Sequence, residues 1–509
     1  MKVVTAAEMR AIEAGAKQGG MSLPSLMERA GQAVARVTGD LANGGDVVIL
    51  IGPGKNGGDG LVCARALAAA GNRVTLYVFN RQVDENTGAT VVQAAEDQSR
   101  RVLRGLAGNS AVVIDALLGI GQSRPPDPDL ISILETVNTQ RGPSTRAVAV
   151  DIPTGVDADT GSIWNQAFRA DVTVCMGFLK RGLVLHPGSD YCGQIRLIDL
   201  GFPPSAAASV AVSVPTAREV ASMIPVRQAD SNKGSGGRVL VISGSRDYVG
   251  APVLVSMAAY RIGAGLVQVA VPTSVQLAVA SHVLEPIYLP LPEHDGRVCS
   301  ESLAAITHAL PSAKAVVLGP GLGLSSETIS FVSSLVLDTK ELDNMPLVVD
   351  ADALNALSQI PKWWRSKASM VVTPHPGEMS RLTKLKIEAI QADRVGTALR
   401  YAAEWGHVVV LKGAGTVVAT PDGTASINPT GGPNLATAGT GDVLSGAIGG
   451  LLAQGCSPCE AAVCGVYLHG VAGDILCEEY GDAGTIASDL HAAVPVARLS
   501  TLREGGKAP

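Results

Sequence analysis

The sequence predicts a two-domain α/β protein, each domain a mostly parallel sheet covered by helices. Three observations predict it. Apolar runs of strand length alternate with stretches of helical spacing along the chain. Several runs are apolar throughout, as expected of strands buried on both faces. The chain has 509 residues, too many for one ordinary core.

In order, DVVILIG (46–52) is an apolar run ending in glycine, and GLVCARALAAAG (60–71) has helical spacing with a glycine stop. VTLYVF (74–79), AVVIDALLG (111–119), AVAVDIPTG (147–155), ADVTVCMG (170–177) and QIRLIDLG (194–201) follow as strands. Three of these runs end alike: apolar strand, carboxylate, loop. In parallel sheets ligands sit beyond the carboxyl ends of the strands, so Asp115, Asp151 and the glycine loop at 52–60 are expected on one edge. The segment 201–217, rich in proline and small residues, has no charge until Arg218. It places the boundary between 205 and 215, with domains 1–210 and 211–509. The alternation then restarts with GRVLVISGS (237–245), LVQVAVP (266–272), AVVLGPGLG (315–323), PLVVDADAL (346–354), SMVVTPHPGE (369–378), HVVVLKGAG (407–415) and TVVATPDG (416–423). A glycine-rich loop leads into the helical pattern DVLSGAIGGLLAQG.

Composition narrows the function. Aromatic residues are 3% of the chain, too few for platforms that stack single-stranded nucleic acid. The net charge is −6 and no basic run is present, which argues against a nucleic-acid binder or a polybasic membrane patch. The start lacks the apolar core of a signal peptide. The apolar stretch after Asp442 is short and broken by glycine and Pro458. A cytoplasmic protein is expected. Eight cysteines include one C-x-x-C, Cys456 and Cys459, without the second pair or histidine pair of a structural zinc site. Free thiols are the expectation.

Two glycine loops carry the chemistry. Gly52, Gly54 and Gly57 satisfy G-x-G-x-x-G between a strand and a helix, where backbone N–H groups attract phosphate. The acid that should end the next strand in a dinucleotide site is absent; Asn80 and Arg81 stand there. Oxygen donors gather nearby instead: Asn56, Asp59, Asp115, Asp151 and Thr154. Hard cations use such ligands, and so does acid–base chemistry. Any one of them taken alone is equally explained as a helix cap.

These residues sit in GPGKNGGDGLVCARAL, VIDALLGIGQSRPP and DIPTGVDADTG, which in that order resemble the NAD(P)H-hydrate epimerases. The resemblance implies a Rossmann-like three-layer α/β/α domain that holds a hydrated dinucleotide beside a potassium ion. Carried over, the substrate loop is Lys55, Asn56, Gly57, Gly58 and Asp59. Gly119, Ile120, Gly121, Gln122, Ser123, Arg124 and Pro125 also line the substrate. The potassium ligands are Asn56, Asp115 and Thr154, and Asp151 is both a substrate contact and the candidate acid–base residue. The family commonly has asparagine where this chain has Lys55.

The second loop, NLATAGTGDVLSG (434–446), places Asp442 directly after Ala438, Gly439, Thr440 and Gly441. Phosphoryl transfer to an alcohol needs N–H donors for developing charge and a base for the hydroxyl proton. The backbone here supplies donors, the helix start adds positive potential, and Asp442 is placed to take the proton. Alone, Asp442 is as readily a cap of the helix that follows.

GTGD after an apolar sheet resembles the ribokinase-like α/β/α fold. NKGSGGRVLVISGS, GAPVLVSMAAYRIGAGLV, GPGLG, DADALN, TPHPGE, LKGAGTVV and ATAGTGDVLSG resemble the NAD(P)H-hydrate dehydratases. By that resemblance Ala251, Gly323, His375 and Asp442 contact the hydrated substrate. Lys412, Gly413, Ala414, Gly415, Thr416 and Gly441 hold the nucleotide.

Together the two resemblances imply one chain that epimerises R and S hydrates of NADH and NADPH and dehydrates the S form. ADP is the implied co-substrate, giving AMP and phosphate, with K+ in the first domain and Mg2+ in the second. The implied partners are these small molecules, with no nucleic acid, no membrane and a homo-oligomeric assembly. On the residues alone, two rivals stay open: a kinase of a vitamin precursor fused to a binding domain, and a nucleotide-responsive binding protein with a catalytically dead first domain.

Overall fold

In the strand Val47–Ile51, Val47, Ile49 and Ile51 belong to one apolar core while Val48 and Leu50 belong to another. A strand apolar at every position buries both faces, and helices must cover both sides of its sheet. The computed structural model describes residues 1–84, 87–122 and 124–507. It divides into two units, Met1–Val212 and Ser213–Pro509.

The first unit holds a parallel seven-stranded sheet in the order Thr90–Gln93, Val74–Val78, Val47–Ile51, Val112–Ala116, Arg146–Val150, Val172–Met176 and Gln194–Ile198. Strand order reverses between Val47–Ile51 and Val112–Ala116, which opens a crevice at their carboxyl ends. The exposed edge strand Thr90–Gln93 was not legible in the sequence. The short strand Val3–Val4 pairs in parallel with Leu179–Lys180 and ties the start of the chain to the end of this sheet.

One element begins earlier than expected. The helix runs Lys55–Ala69, capped by Gly54 in extended conformation, so Lys55 to Asp59 form its first turn and not a loop. Glycine is a poor helix former, but packing requires it here. A Cβ on Gly57 would lie 2.0 Å from the Gly52 carbonyl oxygen, and one on Gly58 would lie 2.7 Å from the Met27 side chain.

The sheet of the second unit has ten strands, counting Val212–Ser213 at the junction. The order continues Ala425–Ile427, Val417–Ala419, Val408–Leu411, Ser369–Val372, Pro346–Val349, Ala315–Leu318, Arg238–Ile242, Leu266–Pro272 and Ile287–Leu291. Val408–Leu411 to Ile287–Leu291 run parallel, while Val417–Ala419 and Ala425–Ile427 are antiparallel. Order reverses between Arg238–Ile242 and Ala315–Leu318.

The helix Thr440–Ala453 packs against the helix Ala251–Ile262 through its glycines. A Cβ on Gly446 would lie 2.2 Å from the Val255 carbonyl oxygen, and one on Gly450 would lie 2.4 Å from Ile262 Cγ2. Gly446→Ala is therefore expected to lower the unfolding free energy of the second unit by about 1–3 kcal/mol, the usual cost of overpacking. Denaturant titration checks it; an unshifted midpoint would mean that the two backbones are not this close.

Pro458–Tyr480 is the one helix among the described residues long and apolar enough to cross a bilayer, and 72% of its apolar window is buried inside the protein. Burial of that kind is expected of a core helix. All eight cysteines are free, and six of them are buried.

Candidate functional site

Each unit gathers the expected residues at the carboxyl ends of its parallel strands. In the first, a cavity of about 1000 Å³ opens at the crevice. Lys55, Asn56, Asp59, Gly119, Ile120, Gly121, Gln122, Arg124, Pro125 and Asp151 all line it. Ser123 lies outside the described residues. Gly57 and Gly58 are not on the wall. They are buried on the inner side of their helix, where their missing side chains allow the close packing given above.

Asn56 is buried, and its Nδ2 donates to the carbonyls of Leu118 at 2.8 Å and Val150 at 3.0 Å. It thereby joins the helix to the ends of two strands. Asp115 is fully buried and accepts from Thr154 N at 2.7 Å, Thr154 Oγ1 at 2.8 Å and Leu117 N at 3.1 Å. Burial raises its pKa to about 6 despite those bonds. No cationic side chain among the described residues pairs with it. Thr154 Oγ1 also accepts from Leu118 N at 3.0 Å. The three residues assigned to potassium are thus brought together around Leu118, with Asn56 on the cavity wall and Asp115 and Thr154 behind it. Lys55 is exposed at the rim, its ammonium 2.9 Å from Glu13 Oε2.

Two carboxyls, Asp59 and Asp151, face the cavity. Burial first, then repulsion from Asp151 and Glu13, pushes Asp59 up to about 8, against the pull of Lys55 and Lys180. Asp59 is thus largely protonated at neutral pH. Asp151 has left-handed backbone, φ 67°, a conformation in which aspartate is tolerated better than most residues. Its Oδ1 accepts from Met176 N at 3.0 Å and forms an ion pair with Lys180. Lys180 is fully buried. Burial opposes its charge, but attraction to Asp151 outweighs that and the net shift is upward. The sequence reading missed Lys180; its signal is a lysine directly after an apolar strand, in FLKRG.

In the second unit Asp350, His375 and Lys412 follow three neighbouring parallel strands. Lys412 Nζ lies 2.6 Å from Asp350 Oδ1 and 3.9 Å from Glu378 Oε2. Asp350 is buried and its Oδ2 accepts from Ser445 Oγ at 2.5 Å. Burial opposes the Lys412 charge too, and Asp350 and Glu378 reverse the balance. Gly441 sits beside this pair: a Cβ there would be 3.4 Å from Lys412 Nζ.

Asp442 lies in the first turn of Thr440–Ala453, whose N-cap, Gly439 at φ 88°, makes no side-chain cap bond. The helix start therefore keeps N–H groups free for an anion. Asp442 is not the cap. Burial, then repulsion from Asp350, Asp352 and Glu378, raises it to about 7 against the attraction of Lys412. Glu378 is likewise raised to about 7, chiefly by burial.

The remaining assigned residues flank this cluster. In the turn after Lys412, Gly413 and Gly415 have φ 136° and 61°, Ala414 is exposed, and Thr416 Oγ1 donates to Gly413 O at 2.8 Å. Buried Arg394 supports the turn by donating to the carbonyls of Leu411 at 2.9 Å and Lys412 at 3.1 Å. Gly323 N donates to Asp352 Oδ2 at 2.9 Å. Ala251 begins its helix within reach of Gly321, whose Cβ would be 2.8 Å from that of Ala251. His375 caps the helix Pro376–Thr383, with Nδ1 accepting from Gly377 N at 3.0 Å. Burial, then the nearby Lys412 and Arg381, lower its pKa, which favours the neutral ring. Asp350, Glu378, Ser445 and Arg394 were not singled out by the sequence, although Asp350 ends its strand in the same style as Asp115 and Asp151.

Comparison with known proteins agrees with this division. The family model described as YjeF-related protein N-terminus matches residues 24–182, and the one described as NAD(P)H-hydrate dehydratase matches 239–495. A bifunctional NAD(P)H-hydrate repair enzyme of Thermofilum pendens is 37% identical over 99% of this chain and 97% of its own. One of Moorella thermoacetica is 38% identical over 96% and 95%. A solved ADP/ATP-dependent NAD(P)H-hydrate dehydratase from Bacillus subtilis is 30% identical, covers 58% of this chain and 100% of its own, and superposes with a TM-score of 0.49. Matches of this length and identity cover both candidate sites, and the chain belongs to the family of bifunctional NAD(P)H-hydrate repair enzymes.

Proposed function

We propose that the chain restores hydrated NADH and NADPH. Residues 1–210 interconvert the R and S hydrates, and residues 211–509 dehydrate the S form with ADP, releasing AMP and phosphate. The observation that carries the reading is Asp442, a buried carboxyl raised to about 7, at an uncapped helix start beside the Lys412–Asp350 pair.

In the second site Asp442 takes the proton of the hydrate hydroxyl, and that oxygen bonds to the terminal phosphorus of ADP as AMP leaves. Gly441, the free N–H groups of the helix start and Lys412 stabilise charge on the transferring group. The turn Lys412 to Thr416 holds the nucleotide. Ala251, Gly323 and His375 contact the hydrate. The new phosphate ester then breaks at carbon–oxygen, and the departing phosphate takes a proton from the neighbouring carbon, which restores the ring double bond. Magnesium, when bound, neutralises phosphate charge. The described residues contain no group of three or more His, Cys, Asp or Glu that could hold it by themselves.

In the first site the carbon that changes hand bears both the hydroxyl and the ring nitrogen. Protonated Asp59 gives a proton to the departing hydroxyl, which leaves as water while the nitrogen lone pair fills the vacancy. Water returns on the other face and gives its proton to Asp151. Transfer of that proton back to Asp59 resets the pair. Environments that push two carboxyls apart assign such acid and base roles. Asn56, Asp115 and Thr154 would hold potassium. Asp115, buried without a cationic partner, suits it, and the ion supplies that missing positive charge. A homo-oligomeric enzyme of the cytoplasm completes the reading.

The test mixes purified protein with an R/S hydrate mixture and ADP and follows recovery of the near-ultraviolet NADH band. Complete recovery, faster than spontaneous epimerisation allows, is expected. Recovery that stalls when S is exhausted would contradict the role of the first unit. A stable phosphorylated product would contradict that of the second.

A further inference from the structure

Asp151 is held from one side only. Its backbone is fixed in the left-handed region, and Met176 N and Lys180 Nζ both engage Oδ1. Among the described residues no protein donor reaches Oδ2, although Asp151 lines the cavity. Lys180 cannot swing away. It is fully buried, its Nζ also donates to Met176 O at 2.8 Å, and its strand is paired with Val3–Val4, residue against residue. An ammonium this deep is unfavourable unless paired, and among the described residues Asp151 is the one carboxylate that hydrogen-bonds it, beside Met176 O and Cys175 Sγ.

We propose that Lys180 is a positioning residue for epimerisation: its buried ammonium holds Asp151 by Oδ1 and leaves Oδ2 as the oxygen open to substrate. The inference rests on the epimerase reading above and deepens it. Lys180 touches no reacting atom. In the resting enzyme it keeps Asp151 the acceptor and leaves the other carboxyl, Asp59, to carry the proton; the reverse interconversion runs the same steps backwards. Without it the two carboxyls would share one proton and Asp151 would be free to rotate, and fewer molecules would present one donor and one acceptor to the ring.

The charged and titratable groups facing the pair are few. Asp59 feels Asp151, Glu13, Lys55 and Lys180; Lys180 feels Asp151 and Cys175. Glu13 and Lys55 pair with each other at the rim. Removing the Lys180 charge therefore removes the ion pair of Asp151. Asp59, which Lys180 pulls down, then holds its proton more tightly, and the acidic limb of the pH–rate profile moves up.

The experiment compares wild type with Lys180→Met, the full chain in both cases. Wild-type interconversion of purified R and S hydrates comes first, and its absence would overturn both the reading and this inference. Given wild-type activity, Lys180→Met is expected to lower kcat for epimerisation at pH 7 by at least roughly tenfold, with KM little changed and the acidic limb displaced upward. A wild-type rate and an unmoved limb would overturn the inference while leaving the reading intact. So would equal losses at every pH, which are what loosened packing gives. ADP-dependent dehydration of pure S hydrate reports on the rest of the chain.

A second arm does not depend on that variant folding. In Asp151→Asn the carbon-13 shift of the Lys180 ε-carbon is expected to titrate at lower pH than in wild type. An unchanged titration would show that the ammonium is not engaged with Asp151 and would overturn the proposal by itself.

Discussion

Asp442→Asn is expected to lower the rate of S-hydrate dehydration by about 10²–10⁴-fold, the usual contribution of a general base, while R/S epimerisation keeps its wild-type rate. Asparagine fills the same volume and cannot take the hydroxyl proton. The nucleotide contacts should survive, because Lys412 is held by Asp350 at 2.6 Å and not by Asp442. The loss should therefore fall on kcat, with KM for ADP little altered. The pH dependence has a definite sign. Asp442 in the free protein titrates at about 7, so kcat/KM for wild-type dehydration falls as the pH drops below that value. Nucleotide phosphate adds negative charge, which places the limb for kcat higher. In the variant the Asp442 limb disappears.

Stability should move the other way. A folded pKa raised above the unfolded value means that the fold disfavours the carboxylate. That penalty grows as pH rises from about 4 towards 7 and is complete above 7. Asp442→Asn removes it, so its second unit should melt no lower than wild type at pH 8, and higher if the penalty is large. Scanning calorimetry at pH 5 and pH 8 separates this from simple damage, since the gain should be larger at the higher pH. An active site that is costly to fold and cheaper to fold when inactivated is a common trade.

Asp151→Asn is expected to lower epimerisation by about 10²–10⁴-fold and leave dehydration of pure S hydrate unchanged. Measured on an R/S mixture, the variant should recover the S fraction quickly and the R fraction only at the spontaneous rate. Asparagine is the informative replacement. It tolerates the left-handed backbone at this position, and its amide oxygen still accepts from Met176 N and Lys180. Asp151→Ala removes the acceptor and strands a buried ammonium, which costs about 3–5 kcal/mol and confounds activity with folding. Equal loss of both activities in either single variant, Asp442→Asn or Asp151→Asn, would contradict the division of labour between the units.

How far the sequence could be read depended on whether a feature was local. Runs apolar on every residue announce strands buried on both faces, and the carboxylates ending them announce Asp115 and Asp151. The glycine before Asp442 likewise marks a helix start. What failed were features decided by distant contacts. Gly57 and Gly58 look like loop residues by propensity. They lie in a helix, and they are glycine there because the backbone at Gly52 and the Met27 side chain occupy the space of a side chain. Lys180 looks like any polar residue after a strand; its burial depends on pairing with Val3–Val4 at the far end of the unit's sequence. Thr90–Gln93 carries two exposed residues and sits at an edge, so it lacks the apolar density that identified the other strands. His375 was read as a substrate contact, and the structure shows the helix cap it also makes, a bond set by its neighbours Gly377 and Glu378.

The central claim is that the hydrate's own hydroxyl oxygen is activated by Asp442 and bonds to the terminal phosphorus of the nucleotide. Hydrate prepared in oxygen-18 water carries the label in that hydroxyl. Pure labelled S hydrate, dehydrated with unlabelled ADP in ordinary water by the Asp151→Asn variant, in which exchange of that hydroxyl with solvent by the first unit is suppressed, should release phosphate containing one oxygen-18 and AMP containing none, read by mass spectrometry. Unlabelled phosphate, with the label lost to water, would mean that the hydroxyl leaves without being phosphorylated, and the role given to Asp442 and the turn around it would be contradicted.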